Sequence, residues 1–190
     1  MNVQGSVTMA KEYFDVLDEN GNKTGKIKLR SEVHRDGDWH KAAHIWIINN
    51  NGDILLQRRC ATKDSNPNML AVSCAGHLSA GDNSLEGALR ELKEELDLEI
   101  NPEDLLFIKT LKRSSKYTET FLNNEFDDLY IVRTDKKIGD MKFQEEEISE
   151  IMYVPYKQFK KMVEDHQPDL LRYDDEFEIL FNMFDKEFGK

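Results

Sequence analysis

Little in this 190-residue sequence suits cross-linking, membrane insertion or nucleic-acid binding. It holds only two cysteines, Cys60 and Cys74, in no C-x-x-C arrangement. That argues against a disulfide scaffold and for a reducing compartment, the cytoplasm. Long apolar runs are missing: the longest span a few residues, such as Ile45–Ile48, far short of the ~20 needed to cross a bilayer. The opening stretch, MNVQGSVTMAKEYFDV, lacks a basic region followed by an apolar one, so no secretory leader is expected. Glycine and proline are sparse, at 10 and 4 residues, which excludes a low-complexity chain. Basic residues are in deficit: 26 Lys and Arg against 37 Asp and Glu leave a net charge of -11. Such a field repels polyphosphate backbones and anionic lipid, so neither nucleic acid nor membrane is an expected partner. A bound divalent cation can still reverse the sign within one cleft. With 39% hydrophobic and 33% charged residues, the chain reads as soluble and globular, one domain over residues 1–190.

The patterning predicts a β-hairpin in residues 12–33, turning at Asn20-Gly21, within an N-terminal extension of about residues 10–40. Strands are expected at 42–50, 54–59 and 70–75, with a polar loop at 60–68 that contains Asn66-Pro67. Leu85, Ala88, Leu89, Leu92 and Leu96 fall on one stripe of a helix over 84–97, with Asp82, Asn83 and Ser84 as candidate caps. Strand-like runs follow at 105–111, 129–133 and 151–154. A helical C-terminal part over 156–188 breaks near Gln167-Pro168-Asp169, and its Leu180, Phe181, Phe184 and Phe188 repeat at helix spacing. Sheet segments on both sides of the first helix, with helices last, argue for an α+β sandwich, not a doubly wound fold.

The helix over 84–97 carries the chemistry. At about 100° per residue from Leu85, the apolar stripe covers roughly −60° to +40°, and Glu94, Glu91 and Glu95 fall near 180°, 240° and 280°. Three carboxylates thus crowd one flank. They are like-charge neighbours at i,i+3 and i,i+4 in the half where the helix dipole disfavours negative charge. A solvated acidic face eased by Arg90 and Lys93 is one explanation. The other is a hard-cation site in which clustered carboxylates bind Mg2+ or Mn2+, which then bridges phosphate oxygens.

The order of residues resembles the Nudix box, G-x5-E-x7-R-E-U-x-E-E-x-G-U with U aliphatic. Gly76, Arg90, Glu91, Leu92, Glu94, Glu95 and Leu98 match at intact spacing; Asp82 replaces the first Glu and Asp97 the second Gly. The box occupies 76–98, and the strand and helix order around it is similar to the Nudix α/β/α sandwich with a mixed sheet. The resemblance implies a metal held by Glu91, Glu94, Glu95 and Gly76, with Glu91 and Glu94 in catalysis and Arg90 and Asp82 in support. It also implies water attack on a diphosphate joined to another group, in a nucleoside diphosphate derivative or similar small molecule, by an enzyme that often pairs into a homodimer. Arg58 and Arg59, ending a strand before the box, are candidates for phosphate contact, as His77 is for substrate contact. The resemblance also implies a further catalytic carboxylate opposite the helix, as metal ligand or general base, from Glu125 or from the run Glu145-Glu146-Glu147, with Glu125 the first choice and Glu147 in support.

A branch of the same superfamily, type I isopentenyl diphosphate isomerase, is also similar. His34, His40 and His77 match its three metal-binding histidines, and Asn123-Asn124-Glu125 its Glu-Asn-Glu segment, of which only Glu125 keeps the acid. Its chemistry needs a cysteine directly before the box glycine, where this sequence has Ala75. Cys74 is one residue off and on the opposite strand face, where a buried apolar filler is expected. Tyr153 stands, by count from Glu147, where the isomerase has a Trp. The intact REUxEE core favours hydrolysis over isomerisation, and also over a ligand-sensing module, which usually loses box carboxylates. His44, in an apolar strand, reads as a core histidine.

Overall fold

The computed structural model describes residues 11–188; residues 1–10, which include the outer edge of the expected extension, and the Phe188 side chain lie outside what is described. In chain order the elements are β1 (Tyr13–Leu17), β2 (Lys23–Leu29), α1 (Arg30–Asp36), β3 (Trp39–Ile48), β4 (Asp53–Arg59), β5 (Leu70–Ala71) and β6 (Cys74–His77). Then come α2 (Ser84–Leu96), β7 (Leu105–Thr118), β8 (Phe121–Arg133), β9 (Ile148–Pro155), α3 (Tyr156–Glu164) and α4 (Asp174–Phe188). The sheet is mixed. β3 runs parallel to β8 from Trp39↔Asn124 to Ile48↔Arg133, and antiparallel to β1, β4 and β6.

Strand alternation divides β3 between two cores. Trp46 and Ile48 join Leu129, Ile131, Phe159, Phe177, Leu180 and Phe184 under α3 and α4. Ala43, Ile45 and Ile47 join Cys74, Ala88, Leu92 and Leu96 under α2. Helices cover both faces, as the α+β sandwich requires. One edge of β3 is shared: β6 pairs with it over Ala42–Ile45, and β4 only at Ile48↔Ile54. Where β3 and β4 part, Ser73 spans the gap, accepting from Ile47 N at 2.8 Å and donating to the Leu55 carbonyl. This opening in the sheet positions the cleft described below.

Several boundaries differ from the patterning. The hairpin stops at Leu29, because Glu32 accepts from Leu29 N at 3.2 Å and Val33 buries against Phe14 and Val16, starting α1 where a strand was expected. The run at 70–75 is broken at Val72-Ser73 into β5 and β6. β7 and β8 are much longer than their apolar cores, forming one antiparallel ribbon with an exposed tip.

Candidate active site

Side chains on one face of the sheet make the floor of a cleft of about 800 Å³. The register places Ala42 and His44 of β3 beside Ala75 and His77 of β6 on one side, and β3 beside Glu125 and Asp127 of β8 on the other. β7 adds Arg113 and Ser115 opposite Glu125 and Asn123. The two alanines leave the open space. Glu91, Glu94, Glu95 and Arg90 of α2 line the cleft from beyond the β6 edge.

α2 is fixed at both ends. Asn83 Oδ1 accepts from Glu86 N at 2.9 Å, and Asp97 closes the helix in the left-handed region at φ 50°, the geometry a box glycine usually supplies. Glu91 and Glu95 are buried while Glu94 is exposed. Burial pushes Glu91 up to about 7, against the pull of Arg90. Burial, then the charge of Glu91, pushes Glu95 up to about 8. The Glu95 Oε2 atom is buried without a hydrogen-bond partner. Gly76 is required by close approach: a Cβ there would overlap the Glu91 carboxylate. Arg90 Nη1 donates to Glu94 at 2.9 Å and lies 2.8 Å from Glu91, while its Nη2 donates to the His77 carbonyl at 3.0 Å and to Asp82 at 3.3 Å. Asp82 also accepts from Ser79 N, so the shorter acid holds the loop before α2 to Arg90.

His34 of α1, His40 of β3 and His77 of β6 converge at ring separations of 5.0 to 5.4 Å. The Nε2 atom of His34 is buried without a hydrogen-bond partner, and those of His40 and His77 face the Glu125 carboxylate. Glu125 Oε1 lies 3.1 Å from His77 Nε2 and 3.7 Å from His40 Nε2. Burial alone raises a carboxyl, but the His40 and His77 ring nitrogens outweigh it and hold Glu125 well below its ordinary range. Burial and the charges of His77 and His40 push His34 down to about 3. Three imidazoles around one carboxylate form a nitrogen-rich donor set that fits a transition-metal cation better than Mg2+.

Residues 38–173 match the NUDIX domain. The chain belongs to the Nudix family. It is 44% identical over 172 residues to Nudix hydrolase 3 of Arabidopsis thaliana, covering 87% of this chain and 22% of that protein. The chain thus spans about a fifth of that relative's length. It is 28% identical over 126 residues to the isopentenyl-diphosphate Delta-isomerase of Serratia proteamaculans, covering 66% of this chain and 68% of that one. A crystal structure of DR0079 from Deinococcus radiodurans shares the fold at a TM-score of 0.65 and 22% identity, over 90% of this chain and 98% of the other.

Within this Nudix domain most candidates from the sequence meet in one cleft, and some do not. Arg59 lines it, though its Nε and Nη2 donate to the Ser65 carbonyl at 3.1 and 2.9 Å and order the loop after β4. Arg58, the residue before it, is spent on Asp169 at 3.0 Å and Glu150 at 3.3 Å, outside the cleft lining. Glu147 lines the cleft, paired with Lys63; Glu145 and Glu146 are exposed. Tyr153 faces away, donating to the Lys136 carbonyl at 3.2 Å. Cys74 is fully buried as expected, yet its thiol bonds Glu95, so it is more than filler; burial pushes its pKa well up. Lys63, Arg113, Asp127 and Tyr173 were missed. Period-two spacing from Glu125 to Asp127 was the available signal for one of them; Arg113 lies beyond the expected strand, and Tyr173 in the expected helical part, just ahead of where α4 begins.

Proposed function

We infer that this Nudix domain is a pyrophosphohydrolase, cleaving a diphosphate linkage in a nucleoside diphosphate derivative or similar small molecule with Mg2+ or Mn2+. The observation that carries this reading is the pair of buried α2 carboxylates, Glu91 and Glu95, raised in pKa beside exposed Glu94, with one Glu95 oxygen unpartnered. Carboxylates in that state fit a cation that repays their burial. Glu91, Glu94, Glu95 and the Gly76 carbonyl would hold it, and when bound it supplies charge neutralisation of the departing phosphate. Arg90 orients Glu91 and Glu94. Glu91, the carboxylate nearest neutrality, accepts a proton from attacking water. Glu125 holds the His34, His40 and His77 cluster in place. Buried, unpaired Cys60 and Cys74 suit a reducing cytoplasm, and no helix among the described residues is long and apolar enough to cross a membrane.

The test is release of phosphate or nucleoside monophosphate from a panel of nucleoside diphosphate derivatives, sugar nucleotides and prenyl diphosphates. Activity should vanish with chelator and return with Mg2+ or Mn2+. Glu94→Gln and Glu95→Gln should each lower turnover about a hundredfold or more, on the order of 3 kcal/mol. Near-wild-type turnover in either variant removes that residue from the site. The histidine cluster favours a second reading, isopentenyl diphosphate isomerisation. Ala75 in the cysteine's place opposes it, and conversion of isopentenyl diphosphate without phosphate release would establish it.

A further inference from the structure

Beneath the cleft floor lies a charged cluster that the hydrolase reading leaves unused. Glu176, in the first turn of α4, is fully buried. Its Oε1 takes His44 Nδ1 at 2.8 Å and lies 2.8 Å from Arg113 Nη2; its Oε2 accepts from Trp46 Nε1 at 2.7 Å. Asp127, also fully buried, lies 3.2 Å from Arg113 Nε. Asp175 takes the same Arg113 Nη2 at 2.6 Å. Tyr173 packs edge-on to the His44 ring at 5.0 Å and lies under the Arg113 guanidinium at 4.9 Å. Glu176 and Asp175 sit behind, while His44, Arg113 and Asp127 line the cleft.

Two donors remain unspent. Arg113 Nη1 and His44 Nε2 make no hydrogen bond or ion pair among the described residues. Burial disfavours charge on His44, but Glu176 and Asp127 outweigh it and hold the ring up at about 9. Its Nε2 therefore carries a hydrogen at neutral pH. A cation among His44, Asp127 and Glu176 would be close enough to all three, but Arg113 bridges Asp127 and Glu176, and both Glu176 oxygens are bonded. Charged donors at a cavity wall, braced by Glu176 from behind and by Asp127 alongside, with one N–H each left over, suit an oxyanion.

We propose that His44 and Arg113 form an oxyanion subsite in the cleft floor, holding a phosphate or carboxylate of the substrate other than the phosphoryl group attacked at the Nudix box. Its role in turnover rests on the hydrolase reading; the binding itself does not.

Inorganic phosphate is the probe. Calorimetric titration of the full chain in EDTA should show Arg113→Gln binding phosphate about tenfold or more weakly than wild type, with Arg133→Gln, a cation outside the cleft lining, unchanged. In the unmutated protein, phosphate should shift the NMR signals of the His44 ring, which covers the case of an Arg113 variant that does not fold. Equal binding by wild type and a folded Arg113→Gln, or a His44 ring that phosphate leaves unmoved, overturns the proposal. Because this titration uses neither metal nor turnover, it is decided separately from hydrolysis, whose failure would show as no cleavage of any diphosphate with Mg2+. NADH and NADPH then separate the sources of the oxyanion. If Arg113→Gln abolishes a KM preference for NADPH, the subsite holds a remote phosphate. If it raises both KM values alike, the subsite holds the second phosphate of the diphosphate.

Discussion

Gly76 shows how much one missing methyl group decides. It lies at the β6 edge because the Glu91 carboxylate occupies the space a side chain would need, and its φ is ordinary, so the requirement is room and not backbone freedom. Gly76→Ala must displace Glu91, and with it the Arg90 contact. Turnover should fall at least about tenfold, with a smaller change in Tm than a core truncation gives; unchanged kcat in a folded Gly76→Ala would show that Glu91 does not act from this position. The residues of the Nudix box were legible because their spacing is rigid: one helix face and one loop fix nearly all of them. Arg58 and Arg59 were not separable in the sequence, since the strand's register shifts between them and Arg58 is drawn off by Asp169 and Glu150, partners far along the chain.

Among the elements, α2 was readable almost to the residue, because apolar period, cap and charge pattern agree. Its end depends on Asp97 at positive φ, with Lys93 Nζ 2.6 Å from Asp97 Oδ1. Asp97→Val places a β-branched residue in the left-handed region and should cost about 1 kcal/mol or more, whereas Asp97→Gly should not destabilise. Urea titration of the two variants checks this; equal loss in both would assign the role to the Lys93 contact instead. The elements misread were those whose extent is set by partners. α1 is too short to announce itself and exists because Val33 has Phe14 to bury against. β7 runs on to Thr118, past its apolar stretch, because β8 hydrogen-bonds it along its whole length, and that extension carries Arg113 into the cleft. The cleft floor was illegible for the same reason: His44, Asp127 and Glu176 come from three elements joined only in the folded chain.

At the level of the whole molecule, the raised box carboxylates tie stability to pH and metal. Glu91 at about 7 and Glu95 at about 8 lie above their unfolded value of about 4.5. Without metal these two carboxyls hold protons in the folded protein that the unfolded chain has lost, so their contribution to stability falls as pH rises from about 4.5 to 8; His34, held down at about 3, acts oppositely below about 6.5, so the net fall lies between about 6.5 and 8. In EDTA, Tm should drop between pH 6.5 and pH 8, and Mg2+ should restore more at pH 8 than at pH 6.5. Glu95→Gln should flatten the profile. An EDTA profile that rises across the window would refute the linkage. The His44–Glu176 pair adds loss in the same direction: His44, raised to about 9, stabilises fully below about 6.5 and ceases to as pH passes 9. The slope that persists in Glu95→Gln, between pH 7 and 9, reports it.

Because β3 carries His40 and His44 on one face and Ala43, Ile45 and Ile47 on the other, a single strand is both wall of the workshop and beam of the house. A slip of one residue in its pairing would send the histidines into the apolar layer beneath α2 and the isoleucines into the cleft. No half-built enzyme with a sound interior is therefore available to this chain. In a urea series, catalytic activity and the fluorescence of buried Trp46 should disappear together, and the activity of a damaged preparation becomes a count of intact molecules.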